Sequence, residues 1–363
     1  MKEVKSIFDT TNQYHKEGNY PMFCSHPVAL LDMINSPYPE VFAFYEKQMA
    51  QNWKWDEVAL GQDRIDMLTA NKEYVDLMVD TLLYQWSIDS VASNTILPLF
   101  APFISSPEVH MLFTEATRME VIHSATYSHI IQQTLQNPRE ALNKAMNLQE
   151  SITRGGKIVE VFDHLALIGG KIRAGLLSRD SAEAKEAVFL GMVNLYILEQ
   201  ISFMSSFAVT FAISELGIFQ GIGKLVALIA RDEHHVHAAA DRIICQTMIK
   251  QMPDTYRAVK HNIEQMIDEA VQIELDWNKY LFTGRSCVGL TRQLLDDWVH
   301  FMAKDIYRTF NLEPKVLVEE NPLPYMEYYL DLGSTQNAPQ ESDITDYLIG
   351  GVESTLGDEE LDF

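Results

Sequence analysis

The chain has 363 residues, 47% of them hydrophobic and 10% aromatic, which fills a sizeable core and excludes a wholly disordered polymer. A formal net charge of −23 at pH 7 excludes nonspecific attraction to nucleic acid or an anionic membrane, and leaves open a protein partner with a basic surface. The three cysteines, Cys24, Cys245 and Cys287, follow no CxxC or zinc spacing and read as reduced thiols of a cytoplasmic protein.

Met1-Lys2-Glu3-Val4-Lys5 lacks the apolar core of a secretion signal, and residues 1–36 read as an irregular N-terminal segment. Residues 37–332 carry helical patterns nearly throughout. Pro39 opens a short helix through Phe42, Phe44 and Tyr45, and Trp53-Lys54-Trp55-Asp56-Glu57 form an aromatic, acidic corner. A long helical period from about Glu73 to Ser93 contains Asp89, after which Pro98 and Pro102 are expected to break the chain. Ser106-Pro107-Glu108 is an N-cap with proline in the first turn, opening a helix that reaches about Gln136. Pro138 starts another, punctuated by Gly155-Gly156 and Gly169-Gly170.

A long helix from about Ala182 contains Glu199, and the next, from about Ile222 to Gln251, contains Arg231-Asp232-Glu233-His234-His235-Val236-His237. The most apolar run, Ile201 to Ile213, lies between Glu199 and Glu215 and is shorter than a membrane span, so no membrane segment is expected. Pro253 opens a helix carrying Trp277, and a last one spans about Leu290 to Phe310. Strand alternation is nearly absent. From Gly333 onward acidic residues are unaccompanied by lysine or arginine, and 333–363 reads as a flexible acidic tail.

At roughly 100° per residue, Glu120, His123 and Tyr127 share one helix face. Alone that is a weak signal, because polar residues three apart usually make a solvated face. Asp89, Glu120, Glu199 and Glu233, however, each sit in largely apolar surroundings on separate helical segments. Buried carboxylates are costly unless paired or metal-bound, and four together repel, so bound cations are the simplest resolution. Carboxylate-plus-imidazole sets suit iron or manganese rather than structural zinc. Ferritin-like bundles hold such a pair of metals with a carboxylate from each of two helices and Glu-x-x-His from each of two others.

The ordered runs carry a resemblance. Tyr84-Gln85 and Asp89-Ser90 come first, then Glu120-x-x-His123-Ser124-x-x-Tyr127-x-His129-Ile130, Leu198-Glu199 and Leu228-Ile229-Ala230-Arg231-Asp232-Glu233. Asp276-Trp277-x-x-Tyr280-Leu281-Phe282, Asn321-Pro322-Leu323-Pro324 and Tyr347-Leu348 follow. From about Pro39 on, the chain resembles the radical-generating small subunit of class I ribonucleotide reductase. The resemblance implies an all-α, ferritin-like bundle and a homodimer whose acidic tail docks a large subunit. It implies two iron ions, with mixed manganese–iron or two manganese ions as alternatives. Asp89, Glu120 and His123 would hold one metal; Glu199, Glu233 and a following histidine the other, with Glu120 and Glu233 bridging. Tyr127 would bear the radical after reaction of the reduced metals with dioxygen, Phe203 and Phe207 would shield it, and Trp53, Asp232 and Tyr347 would relay an electron and proton between the tyrosyl radical and the large subunit.

The second histidine departs from the family pattern, which wants it three residues past Glu233, where this chain has Val236. Relative to Glu233, His234, His235 and His237 sit at roughly +100°, +200° and +40° on an ideal helix. His237 therefore stays on the carboxylate face, with Ile244 and Met248, and a local π-bulge would bring it closer. The alternatives are a frame in which Asp232 and His235 form the pair, or a metal lacking this imidazole. Two other functions also fit a di-metal bundle: an oxygenase or oxidase acting on a small substrate, and metal storage. Neither needs Tyr127, Trp53 or Tyr347.

Overall fold

The structure is a computed structural model that describes residues 12–331; Tyr347 and the acidic tail, 333–363, lie outside the described residues. Its helices are α1 (Tyr14–Glu17), α2 (Pro39–Ala50), α3 (Gly61–Thr69), α4 (Lys72–Phe100), α5 (Pro107–Thr134), α6 (Pro138–Asn147), α7 (Gln149–Arg173), α8 (Ala182–Ile197), α9 (Met204–Ser214), α10 (Gln220–Asp232), α11 (Ala238–Gln251), α12 (Pro253–Leu281), α13 (Arg292–Thr309) and α14 (Tyr325–Leu330). Two single π turns, Leu198–Ser202 and Glu233–His237, join α8 to α9 and α10 to α11. Among the described residues the only extended pairings are isolated bridges, Phe23 with Ile104 and Cys287 with Leu290.

Helix starts follow local chemistry. Asn71, Ser106, Asn137, Ser181 and Thr291 each accept a hydrogen bond from a backbone N–H of the first turn they cap. α10 has no such cap of its own, and α3 supplies the acceptors instead. Asp66 Oδ2 accepts from Phe219 N–H at 2.9 Å and Asp63 Oδ1 from Ile222 N–H at 2.8 Å. Gly221 permits this approach, since a Cβ there would lie 2.4 Å from Asp63 Oδ2. Two carboxylates thus meet the positive end of α10 and fix the helix that leads to Asp232 and Glu233.

α4 lies along α5, α9 packs on α4, α10 on α9, and the two π turns touch one another. The core between them is aromatic, with Phe100, Phe113, Phe203 and Phe207 fully buried. It also holds a buried ion pair. Arg154 of α7 donates to both oxygens of Glu274 of α12, at 2.6 and 2.5 Å, and to Ser206 Oγ and Ser202 O. Its guanidinium lies 3.5 Å from the ring centre of Tyr84 and 4.7 Å from that of Trp277.

Several expectations need correction. The N-terminal segment contains the short helix α1. α3 went unforeseen because its inward residues include Asp63 and Asp66, which hide the apolar period. Pro98 does not end its helix, which runs to Phe100. Neighbours compensate there, with Thr117 Oγ1 taking the Leu97 N–H at 3.1 Å and Arg173 donating to the Pro98 carbonyl at 3.3 Å. Both glycine pairs lie inside α7; Gly169 lets that helix close on Pro102, whose Cγ would sit 3.0 Å from an added Cβ. Ala182–Ser214 is one helical run long and apolar enough to cross a membrane, but 94% of its most apolar window is buried inside the fold. The three cysteines are free and buried.

Candidate metal centre

Asp89 comes from the middle of α4, and Glu120, His123 and Tyr127 from one face of α5; all four are fully buried. Glu199 lies in the first π turn, while Glu233 and His237 open and close the second. A π turn closes i→i+5 bonds and holds more residues per turn than an α-helix, so the residue four past Glu233 returns above it. His237 Nδ1 accordingly lies 2.7 Å from Glu233 Oε2 and 3.1 Å from Glu120 Oε1. His123 Nδ1 lies 2.8 Å from Glu233 Oε1 and 3.7 Å from Glu120 Oε2. Glu120 and Glu233 therefore stand between two imidazoles, each offering an oxygen to either side.

Two overlapping groups result, Asp89–Glu120–His123–Glu233 and Glu120–Glu199–Glu233–His237, each with one ligand atom per residue within 4.8 Å of the others. Both oxygens of Asp89 lack a hydrogen bond, and those of Glu120 and Glu199 meet nothing outside this cluster of acids and imidazoles. Burial, together with the Glu120 and Glu233 carboxylates, drives the acids of Asp89 and Glu199 well above the usual range. Burial also opposes ionisation of Glu233, but the imidazoles of His237 and His123 outweigh it and hold that carboxyl low. Unsatisfied carboxylates crowded into an apolar core are the donor set that a pair of cations relieves. The residues present fit a two-metal centre with one imidazole on each side.

Beyond the ligand groups, Trp53 Nε1 donates to Asp232 Oδ2 at 2.8 Å, and the same oxygen lies 3.3 Å from His123 Nε2. The Trp53 and His123 rings stack at 5.8 Å, and Arg231 pairs with Asp232 Oδ1 at 3.2 Å. Trp53, Asp232 and His123 thus form one continuous buried chain. Tyr127 is sealed in the core and its hydroxyl has no hydrogen-bond partner. Burial, then the charges of Asp89, Glu233 and Glu120, push its phenol well above the ordinary value. Phe203 and Phe207 belong to the same apolar cluster and stack on each other at 5.6 Å.

The structure does not bring His235 to the carboxylates. Its Nε2–H donates to the Leu330 carbonyl of α14, and its own carbonyl accepts from Lys47 Nζ. Asp232, its partner in the alternative frame, is taken by Trp53, His123 and Arg231. His237→Ala is therefore expected to empty one of two metal positions while His235→Ala leaves both filled. Metal analysis and anomalous scattering check this, and density placing His235 on a metal refutes it. Sequence reasoning missed Asp241, four residues past His237 and buried; that i, i+4 spacing was the available signal.

A family model described as the small chain of ribonucleotide reductase matches residues 31–322. The chain is similar to the ribonucleoside-diphosphate reductase subunit beta of Haemophilus influenzae, 27% identical over 357 residues, covering 94% of this chain and 95% of that one. Its fold resembles the ribonucleotide reductase R2 subunit from Clostridium botulinum, with a TM-score of 0.76 at 19% identity, covering 91% of this chain and 99% of that one. It also resembles the dimanganese(II)-NrdF of Streptococcus sanguinis, with a TM-score of 0.68 at 15% identity, covering 84% and 100%. A family match across most of the chain, on a helical bundle with these buried carboxylates and imidazoles, leads to one assignment: the chain belongs to the ribonucleotide reductase small-chain family.

Proposed function

We propose that this chain generates a stable radical on Tyr127 and passes it to a large subunit, which reduces ribonucleoside diphosphates to deoxyribonucleotides. The observation that carries the reading is a fully buried phenol with no hydrogen bond, one turn past His123 on the helix that also carries Glu120. A pair of redox-active ions bound by Asp89, Glu120, His123, Glu199, Glu233 and His237 would activate dioxygen and supply the one-electron oxidation. Under that oxidation Tyr127 would give up an electron, and the proton on its Oη would pass to the neighbouring carboxylates, Asp89 first among those whose charge it feels. Phe203 and Phe207 keep water and reductants from the phenoxyl, since a dry apolar pocket suppresses side reactions. Asp232 holds Trp53 Nε1–H and His123 Nε2 on one carboxylate oxygen, so that charge leaving Trp53 meets a fixed hydrogen-bonded path.

Iron is the first choice of metal. The neighbour named as a dimanganese(II) protein keeps manganese, alone or with iron, in view. The chain acts in the cytoplasm as a homodimer. Its acidic tail, 333–363, docks the large subunit through apolar side chains such as Leu361 and Phe363, with Tyr347 as the last relay residue on this side.

Electron paramagnetic resonance with metal analysis, on protein reconstituted aerobically and assayed with its large subunit, tests the reading. The expected result is a tyrosyl signal, two metals per chain and turnover of ribonucleoside diphosphate. Two metals with no radical, and oxidation of a small substrate without the large subunit, would favour a di-metal oxygenase.

A further inference from the structure

The two imidazoles are not equally supported. Each turns Nδ1 toward Glu120 and Glu233, but only His123 has an acid at its other nitrogen, Asp232, at 3.3 Å. His237 Nε2 is buried and has no hydrogen-bond partner. Four residues further, in the first turn of α11, stands a second orphan. Asp241 is 3% exposed, its Oδ2 makes no hydrogen bond, and it enters no ion pair among the described residues. Residues four apart on a helix are neighbours. We propose that Asp241 is the positioning residue of the second metal's histidine, accepting the hydrogen bond of His237 Nε2–H and so fixing the ring with Nδ1 toward the metal.

The proposal rests on the two-metal reading above and deepens it. A histidine that ligates a metal almost always donates its other ring N–H to a carboxylate, carbonyl or water, which sets tautomer and orientation. Asp232 provides this for His123 from the neighbouring helix, and Asp241 would provide it for His237 from its own. Burial first, and then the Glu233 and Glu120 carboxylates against the pull of His237, push the Asp241 acid well above its ordinary range. A carboxyl group that enters no ion pair among the described residues is costly inside an apolar core unless a donor meets it.

The test is titration of the metal-free full-length protein with Mn(II), followed by calorimetry and by the signal of free Mn(II). The variants are Asp241→Leu, Asp241→Asn and Asp241→Glu. Asp241→Leu is expected to weaken one of the two binding steps by roughly 10–100-fold, the range seen when the outer partner of a metal-bound histidine is lost, and to leave the other step unchanged. Asp241→Glu should restore most of that loss, and the coupling of one imidazole nitrogen to bound Mn(II) should change selectively, a readout that mere loosening of the fold would not move. Asp241→Asn keeps the shape and one acceptor oxygen; it should show a smaller loss in the same step and serves if the leucine variant does not fold. Both steps unchanged, both weakened equally in folded protein, or anomalous density with an Asp241 oxygen on the metal would overturn the proposal. A wild-type protein that binds no pair of Mn(II) ions would overturn the two-metal reading itself.

Discussion

Tyr127→Phe should yield a protein with two metals per chain, an unchanged fold, no stable radical signal and no turnover. The hydroxyl it removes makes no hydrogen bond and touches no solvent, so nothing in the packing depends on it. Losing an unsatisfied buried polar group changes stability by about 1–3 kcal/mol, in the favourable direction. The ring stays in the same apolar cluster as Phe203 and Phe207. What disappears is a phenol on the ligand-bearing face of α5 that can surrender a proton with its electron. Resonance spectra, metal analysis, circular dichroism and a coupled assay with the large subunit read the four quantities separately. A normal tyrosyl signal from the variant would remove Tyr127 from the mechanism.

Arg154→Leu should be the most destabilising single change outside the centre. Arg154 is 2% exposed, and Glu274 is 1% exposed. Burial already pushes the Glu274 acid upward against the pull of Arg154, so removal of the cation strands that carboxylate in the core. Breaking one side of a buried pair costs about 3–5 kcal/mol, and here the Ser202 carbonyl and Ser206 hydroxyl lose their donor as well. Ser202 ends the π turn that carries Glu199, so metal loading should fall along with stability. Replacing both partners, Arg154→Leu with Glu274→Leu, should recover most of the loss, because a well-packed apolar pair substitutes for a buried ion pair at little cost. Urea denaturation of the metal-free proteins measures both effects, and a double variant as unstable as the single one would contradict the argument.

The sequence was most legible where local chemistry and function agree. Ser106 and Pro107 announce the start of α5, and Pro39, Pro138 and Pro253 each fall in the first turn of a helix. Asp89, Glu120, His123, Glu199 and Glu233 could be singled out because carboxylates in apolar helices demand a reason. Tertiary substitution defeated the reading elsewhere. Asp63 and Asp66 look like solvent-facing acids until α10 is seen to need acceptors at its start, and Pro98 looks like a stop until Thr117 and Arg173 supply what the helix lacks. The Arg154–Glu274 pair depends on a partner far away in sequence, and Asp241 gains meaning only once His237 is known to be a ligand.

The π turn at Glu233–His237 has a further consequence, for the tolerance of this helix to length change. In a plain α-helix one inserted residue rotates everything downstream by roughly 100°, which would carry Ile244 and Met248 out of the core they fill. Confining the extra residue to a single wide turn absorbs that rotation locally, so α11 keeps its phase while the ligand spacing behind Glu233 becomes four. The turn acts as an expansion joint: a chain of this kind can pass between a three-residue and a four-residue metal-ligand spacing by one insertion or deletion, with the hydrophobic side of the helix left where it was.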